Sequence, residues 1–240
     1  MAFSVIINAL NGELTRPVKS VRTEWLNDKN GYTRKMLAPL EQYAAEDTKI
    51  DGNESLSPQG KSDAKRTYAT DTTLPRLKDI RNAIKDLQDK AQQLRAQFFT
   101  INSGIEDVAE RMSTYIYLWG KLDTLDVSER VSQFFQAAEA NKVNVMAAML
   151  ENPLGPMVNE DVKERALTER AKRLFPQQYT AYEQIALLLE YLTMMRDWIG
   201  RVLGVEIGVE IQAIRANLGD EIADILTTQL VTGIPAGASK

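Results

Sequence analysis

The sequence predicts an all-α fold, an elongated helical bundle with one long heptad-patterned helix. From Leu77 to Leu122, apolar residues recur at alternating spacings of three and four, which keeps an a/d seam in phase for about six and a half heptads. Further segments repeat apolar residues at a helical period, and turns rich in proline or glycine separate them. The seam consists of Leu77, Ile80, Ile84, Leu87, Ala91, Leu94, Phe98, Ile101, Ile105, Val108, Met112, Tyr115, Trp119 and Leu122.

The N-terminal segment, residues 1–56, is predicted to form an arm and short helices. Its first twelve residues are apolar and fit either a short strand or an anchoring arm. Thr15 precedes Arg-Pro, which favours a helix start because proline is tolerated in the first turn. A second helix follows from Tyr32 to Ala45 and is expected to be kinked or broken at Pro39.

The central segment, residues 57–200, is predicted to be the long-helix bundle core. Ser57 followed by Pro58 has the pattern of a helix N-cap, and a kink is expected at Pro75. The last segment, residues 201–240, is predicted to form a C-terminal helix and a flexible tail rich in Gly, Ala and Pro.

One site interrupts the long seam. Asn102, Ser103 and Gly104 are weak helix formers, and Ser103 with Glu106 has the spacing of a capping box. Glycine inside a helix costs about 1 kcal/mol relative to alanine, but the seam keeps its phase across the site. We therefore predict one continuous helix, which would break here if anywhere. Polar flanks let its first half face another subunit, and apolar flanks predict wider burial of its second half.

A second pattern predicts close helix packing near the C-terminus. Three glycines recur every four residues, and charged residues between them exclude a membrane helix. In a soluble helix, aligned glycines let another helix or a symmetry mate approach closely. The segment from Val205 to Ile211 also alternates like a strand, but the spacing of isoleucines as far as Ile225 favours a helix. These glycines are Gly200, Gly204 and Gly208.

Both patterns indicate surfaces for self-association or for packing between partner proteins. Tyr117 falls outside the a/d positions and could also reach a partner. The predicted interface residues are Leu77, Ile80, Ile84, Leu87, Leu94, Gly200, Gly204 and Gly208.

Composition argues against the common enzyme classes. The chain has no cysteine and no histidine. It therefore lacks disulfides, a thiol nucleophile and thiolate metal ligands. It also lacks the commonest general base, a Ser-His-Asp arrangement and the usual zinc ligands. We expect a protein that is not an enzyme and binds no cofactor or metal.

Charge and hydropathy limit the partners. A net charge of −4 makes nucleic acid an unlikely partner, since such binders have a basic surplus. The apolar N-terminus is short and has no basic lead, which argues against a signal peptide. No apolar run reaches the length of a membrane span. We expect a soluble protein made in a cytoplasm.

Two polar patterns fit ordinary surface features better than binding sites. Asp47, Asp51 and Gly52 have part of a calcium-loop pattern, but Lys49 and Pro58 occupy positions that require oxygen ligands. A basic cluster is interleaved with glutamates at spacings that support a helix, although a phosphate-contacting patch stays open. This cluster contains Lys163, Arg165, Arg170, Lys172 and Arg173.

Two stretches together resemble a known group of proteins. Leu56–Gly60 reads Leu-Ser-Pro-Gln-Gly before a long charged helix. The other stretch begins at Leu122-Asp123, continues through Glu129-Arg130 and Val145–Leu150, and ends at Asn152-Pro153. They resemble small all-helical proteins, mostly of unassigned role, that are encoded among the head and tail genes of tailed bacteriophages and prophages.

The resemblance spans about residues 55–195 and implies a virion-gene context. The expected function is therefore a non-enzymatic structural protein of a tailed-phage virion, placed inside the head or around the neck and tail. Such a protein would be made in the host cytoplasm and act by helix-mediated self-assembly or by packing on other virion proteins. Two other classes stay open, a transient scaffold or assembly chaperone and a small cytoplasmic helical adaptor or regulator.

Overall fold

A computed structural model describes residues 31–232. In that range all regular structure is helical and no residue lies in a β-strand, which confirms the all-α prediction. The elongated shape of the helical bundle stays a prediction. The arm or strand near the N-terminus, the helix beginning at Thr15 and the tail beyond Thr232 lie outside the described residues.

The helices follow one another with short connections. Two π-helical segments extend them, Ala69–Thr73 between α2 and α3 and Val202–Glu206 after α8. In chain order the helices are α1 Tyr32–Asp51, α2 Pro58–Tyr68, α3 Leu74–Phe99, α4 Val108–Leu122, α5 Val127–Glu139, α6 Val143–Leu150, α7 Glu160–Leu174, α8 Pro176–Arg201, α9 Ile211–Leu218 and α10 Asp220–Thr232.

The chain divides into two compact units. Of the described residues, unit 1 contains 31–89 and 184–232, and unit 2 contains 90–183. The boundaries fall within α3 and α8. This division by contacts differs from the three linear segments expected from the sequence, whose independent folding stays a prediction.

Helix starts and prolines explain several boundaries. Ser57 caps α2 as predicted, because its Oγ accepts a hydrogen bond from the backbone N–H of Gly60 at 3.1 Å. Helix α1 runs through Pro39 and is not broken there. The π segment Ala69–Thr73 lies directly before Pro75, whose ring would collide with a regular helical carbonyl four residues earlier. A π-helical turn therefore lies close to the site of the kink expected at Pro75, and the kink itself stays a prediction.

The continuous long helix predicted across the seam is wrong. Helix α3 ends at Phe99 and α4 begins after its N-cap Asp107. Asn102 Oδ1 accepts from the backbone N–H of Gly104, and Gly104 has a left-handed φ of 72°. Ser103 Oγ accepts from the N–H of Ile105. These local hydrogen bonds replace the regular backbone hydrogen bonds of a helix. The break therefore lies at residues 102–104, the one site where the sequence predicted that a break would occur if the helix broke at all.

Unit 1 has a core lined by the first half of the seam. Side chains of α1, α3, α8, α9 and α10 meet there. Leu77, Ile80, Ile84 and Leu87 are each no more than 3% exposed. Arg196 of α8 is 6% exposed and forms ion pairs with Asp197 and Glu221.

Unit 2 packs α5, α6 and α7 around an apolar core, and α4 lies against α6. Asp126 and Glu129 form a complete capping box that starts α5. Phe98 is 1% exposed and contacts three other rings. The buried residues of the main cluster are Leu122, Phe134, Ala137, Ala138, Met146, Met149, Val158, Ala166 and Leu167.

Candidate protein-interaction surface

The structure places the predicted seam residues in the chain's own core. Leu77, Ile80, Ile84 and Leu87 are covered by helices of unit 1, so in the single chain their apolar surface is already removed from water. Leu94 lies in unit 2 and is partly buried. The apolar stripe that the sequence assigned to another subunit thus packs against helices of the same chain.

Two of the three predicted glycines do allow a helix to approach closely. A Cβ added at Gly200 would lie under 3.0 Å from Cγ1 of Ile222, and one added at Gly204 would lie 3.1 Å from Cδ1 of Leu226. Both contacted residues belong to α10. The close approach predicted from the glycine spacing therefore occurs, and it occurs within one chain.

Gly208 has a different role, and the continuous helix predicted through it is wrong. Its φ is 77°, a left-handed conformation that favours glycine, and nothing lies within 4 Å of an added Cβ. The N–H of Val209 donates to the carbonyl of Leu203, six residues earlier, at 2.9 Å and so satisfies one of the last carbonyls of the helical segment. Gly208 thus ends the helical segment before α9 begins.

One side of α4 is held by α6. Tyr115 is 1% exposed, and the indole Nε1 of Trp119 donates to the carbonyl of Ala148 at 2.6 Å. The hydroxyl of Tyr115 lies 3.5 Å from a carboxylate oxygen of Glu151. Burial, above all, raises the pKa of Tyr115. These contacts fix the rotation of α4 about its axis and so decide which residues face solvent.

The other side of α4 is exposed and apolar, so the predicted wider burial of the second half of the seam is wrong. Ile116 and Tyr117 are each 62% exposed, and Met112 is 41% exposed. Together with three small exposed neighbours they form a surface without a single charged residue. We call this surface the α4 face, and it consists of Ala109, Met112, Ser113, Ile116, Tyr117 and Gly120.

The spacing of the α4 face is that of a helix-docking surface. Its members lie at positions i, i+3, i+4, i+7, i+8 and i+11, which share one side of an α-helix. Gly120 lies inside the helix, and nothing is within 4 Å of an added Cβ. The chain's own packing therefore does not require a glycine there. Small residues at helix interfaces allow two helix axes to approach closely.

The sequence contained a signal for this surface. The six positions lack charge over three turns, and Tyr117 lies outside the a/d seam. The signal could not be separated from core packing, because only tertiary contacts show which side of a helix is covered.

The acidic residues of the partial calcium-loop pattern both pair with one lysine. Asp47 and Asp51 lie near the end of α1, and the Nζ of Lys65 is 2.7 Å from a carboxylate oxygen of each. Burial opposes ionisation of Asp47, but interactions that include the Lys65 hydrogen bond outweigh it and lower its pKa. Among residues 31–232 no group of three or more acidic side chains is arranged to hold a metal ion.

The basic cluster of α7 has structural contacts. Lys163 and Lys172 pair with glutamates three residues before them, whereas the sequence predicted pairs at a spacing of four. Arg170 Nε donates to Asn141 Oδ1 at 2.9 Å, and Arg173 donates to the carbonyl of Ala138 at 2.9 Å. These arginines therefore hold the C-terminal end of α5, where a positive charge is favoured. Burial and the neighbouring Arg173 lower the pKa of Arg170.

Comparisons with known proteins give no family assignment. No family model, no curated protein and no solved structure matches the chain. In the part of the chain that the structure describes, every helix is too short or too polar to cross a bilayer.

Proposed function

We propose that the protein is a non-enzymatic structural component of a tailed-phage virion that self-associates through the α4 face. The observation that supports this most is the exposed, uncharged surface around Ile116 and Tyr117. Exposed apolar patches with polar surroundings are typical of protein-interaction sites. The virion context rests on the resemblance of residues 55–195 to phage head and tail gene products. In this proposal the chain is made in the host cytoplasm and then incorporated into the particle.

Burial of the α4 face by a second subunit removes apolar surface from water. Each Å² of apolar surface buried contributes roughly 25 cal/mol, before the entropy lost on association is subtracted. A contact built on one helix is small, and interfaces that bury less than about 1,200 Å² in total are generally weak. We therefore expect association at micromolar concentrations, which many copies in an assembled particle would reinforce.

Replacing Ile116 with lysine is expected to abolish this association. A lysine at the centre of the α4 face would carry an unpaired charge into the contact, which opposes association. The measurement is light scattering coupled to size-exclusion chromatography, over loading concentrations up to about 500 µM because the contact is small. Wild-type protein should increase in mean mass with concentration, and the Ile116→Lys variant should remain a monomer.

Val127→Lys is the matched control. Val127 is 73% exposed, belongs to the same unit and lies on α5, outside the α4 face. This variant should associate like wild type, and all three proteins should have the same helical circular dichroism and melting temperature. Equal association of the Ile116→Lys variant and wild type would show that the α4 face is not the contact.

The virion assignment is tested separately from the surface. Mass spectrometry of purified particles should detect the chain at a constant ratio to the major capsid or tail protein. Detection only in assembling cells, with none in finished particles, would instead favour the transient scaffold or assembly chaperone.

A further inference from the structure

We propose that two copies of the chain pair their α4 faces in antiparallel orientation about a two-fold axis near residues 115 and 116. This inference rests on the proposed function, because it specifies the geometry of the same surface. Its basis is the arrangement of charge and side-chain size along α4.

Two opposite charges flank the α4 face. Glu110 and Lys121 are both exposed and lie eleven residues apart, which is about three helical turns or about 16 Å along the axis. Both therefore project from the same side of α4, next to Tyr117. The Nζ of Lys121 lies 4.4 Å from the centre of the Tyr117 ring. Within residues 31–232 neither Glu110 nor Lys121 has an ion-pair partner.

Antiparallel pairing would match these charges. When two helices pack antiparallel about a two-fold axis, the same flank of each helix lies beside its counterpart in reversed direction. With the axis between residues 115 and 116, Glu110 of each copy lies beside Lys121 of the other. Symmetry produces this pair twice, as in any contact between identical patches. Parallel pairing would set the charged flank against the opposite flank, which carries the apolar Met112.

Side-chain size fits the same orientation. Ile116 lies close to the axis and would pack against its symmetry mate. In the reversed direction Met112 comes within one residue, about 1.5 Å along the axis, of the level of Gly120, and Tyr117 comes equally close to the level of Ser113. Met112 and Tyr117 thus each come near a small residue of the second copy, which is an arrangement that lets two helices interdigitate. The helix-interior glycine at position 120, which has open space around it, gains a role as the space for Met112 of the second copy.

Charge reversal tests the orientation directly. In the antiparallel pair, Glu110→Lys sets two ammonium groups side by side at both ends of the contact, and Lys121→Glu sets two carboxylates side by side there. Each single variant should raise the dissociation constant about tenfold at low salt, since two attractive pairs become repulsive. The double variant Glu110→Lys/Lys121→Glu restores both pairs and should associate within about threefold of wild type. Sedimentation equilibrium at about 50 mM salt gives these constants.

The results of these variants distinguish two claims: that the two copies pair in antiparallel orientation, and that the α4 face is the contact. Unchanged association in both single variants, or no recovery in the double variant, would overturn antiparallel pairing. If Ile116→Lys still abolished association in that case, the proposed surface would stand and only the orientation would be wrong. Wild-type chains that stay monomeric would overturn self-pairing altogether and leave the α4 face to a different partner protein. Melting temperatures of all variants control for folding: Glu110 lies in the first turn of α4 and Lys121 in its last, so each reversal opposes the helix dipole and should lower the melting temperature only slightly.

Discussion

Replacing Leu87 with lysine is expected to unfold unit 1. Leu87 is 2% exposed and lies in the core cluster with Leu77 and Ile84. An ammonium at this position would be buried without a partner, and the leucine's apolar contacts would be lost. We expect a loss of at least about 4 kcal/mol in the free energy of unfolding, which is a large part of the roughly 5–15 kcal/mol that stabilises a typical domain. Urea denaturation followed by circular dichroism measures this loss.

Leu94→Lys is the matched control for that experiment. Leu94 continues the same heptad pattern but is only partly buried. Its lysine can extend the charged group into water, so we expect a loss of about 1–2 kcal/mol. A Leu87→Lys protein that remained folded and merely dissociated into monomers would contradict the structure. That result would restore the first half of the seam as a subunit interface.

Replacing Gly200 with alanine is expected to destabilise unit 1 as well. The added methyl group would collide with Ile222 of α10, at a separation under 3.0 Å from its Cγ1. Overpacking of this kind generally costs about 1–3 kcal/mol, which exceeds the roughly 1 kcal/mol that alanine contributes to a helix. We expect a net loss of up to about 2 kcal/mol in the free energy of unfolding, measured by urea denaturation.

Two further variants show whether the collision is the cause. In a Gly200→Ala/Ile222→Ala double variant the colliding atoms are absent, so its destabilisation should be smaller than the sum of the two single effects. Gly120→Ala should have the opposite sign from Gly200→Ala, a gain of about 0.5–1 kcal/mol, because the space around Gly120 is open. Equal effects of alanine at positions 120 and 200 would indicate that α10 does not pack against Gly200.

The sequence contained enough information for the fold class and for several local features. Periodic apolar residues predicted the helices, Ser57 and Pro58 predicted the start of α2, and the glycine spacing predicted close packing at Gly200 and Gly204. These features depend on residues near one another in the chain. Local chemistry therefore specifies them with little help from tertiary contacts.

Other features depend on tertiary contacts that periodicity does not encode. A continuous helix was predicted because the a/d seam keeps its phase across Asn102 and Gly104. In the structure, local hydrogen bonds and the left-handed conformation of Gly104 end the helix there. An apolar stripe also does not reveal what covers it. The stripe through Leu87 is covered by the chain's own helices, and the surface around Ile116 is exposed.

Hydrogen–deuterium exchange at two protein concentrations tests the central claim most directly. At about 5 µM and about 300 µM, backbone amides of residues 77–87 should be equally protected, because that segment lies in the core of one chain at any concentration. Amides of α4, residues 108–122, should exchange more slowly at the higher concentration, because a second copy covers the α4 face. Concentration-dependent protection of residues 77–87, with none in α4, would contradict the account.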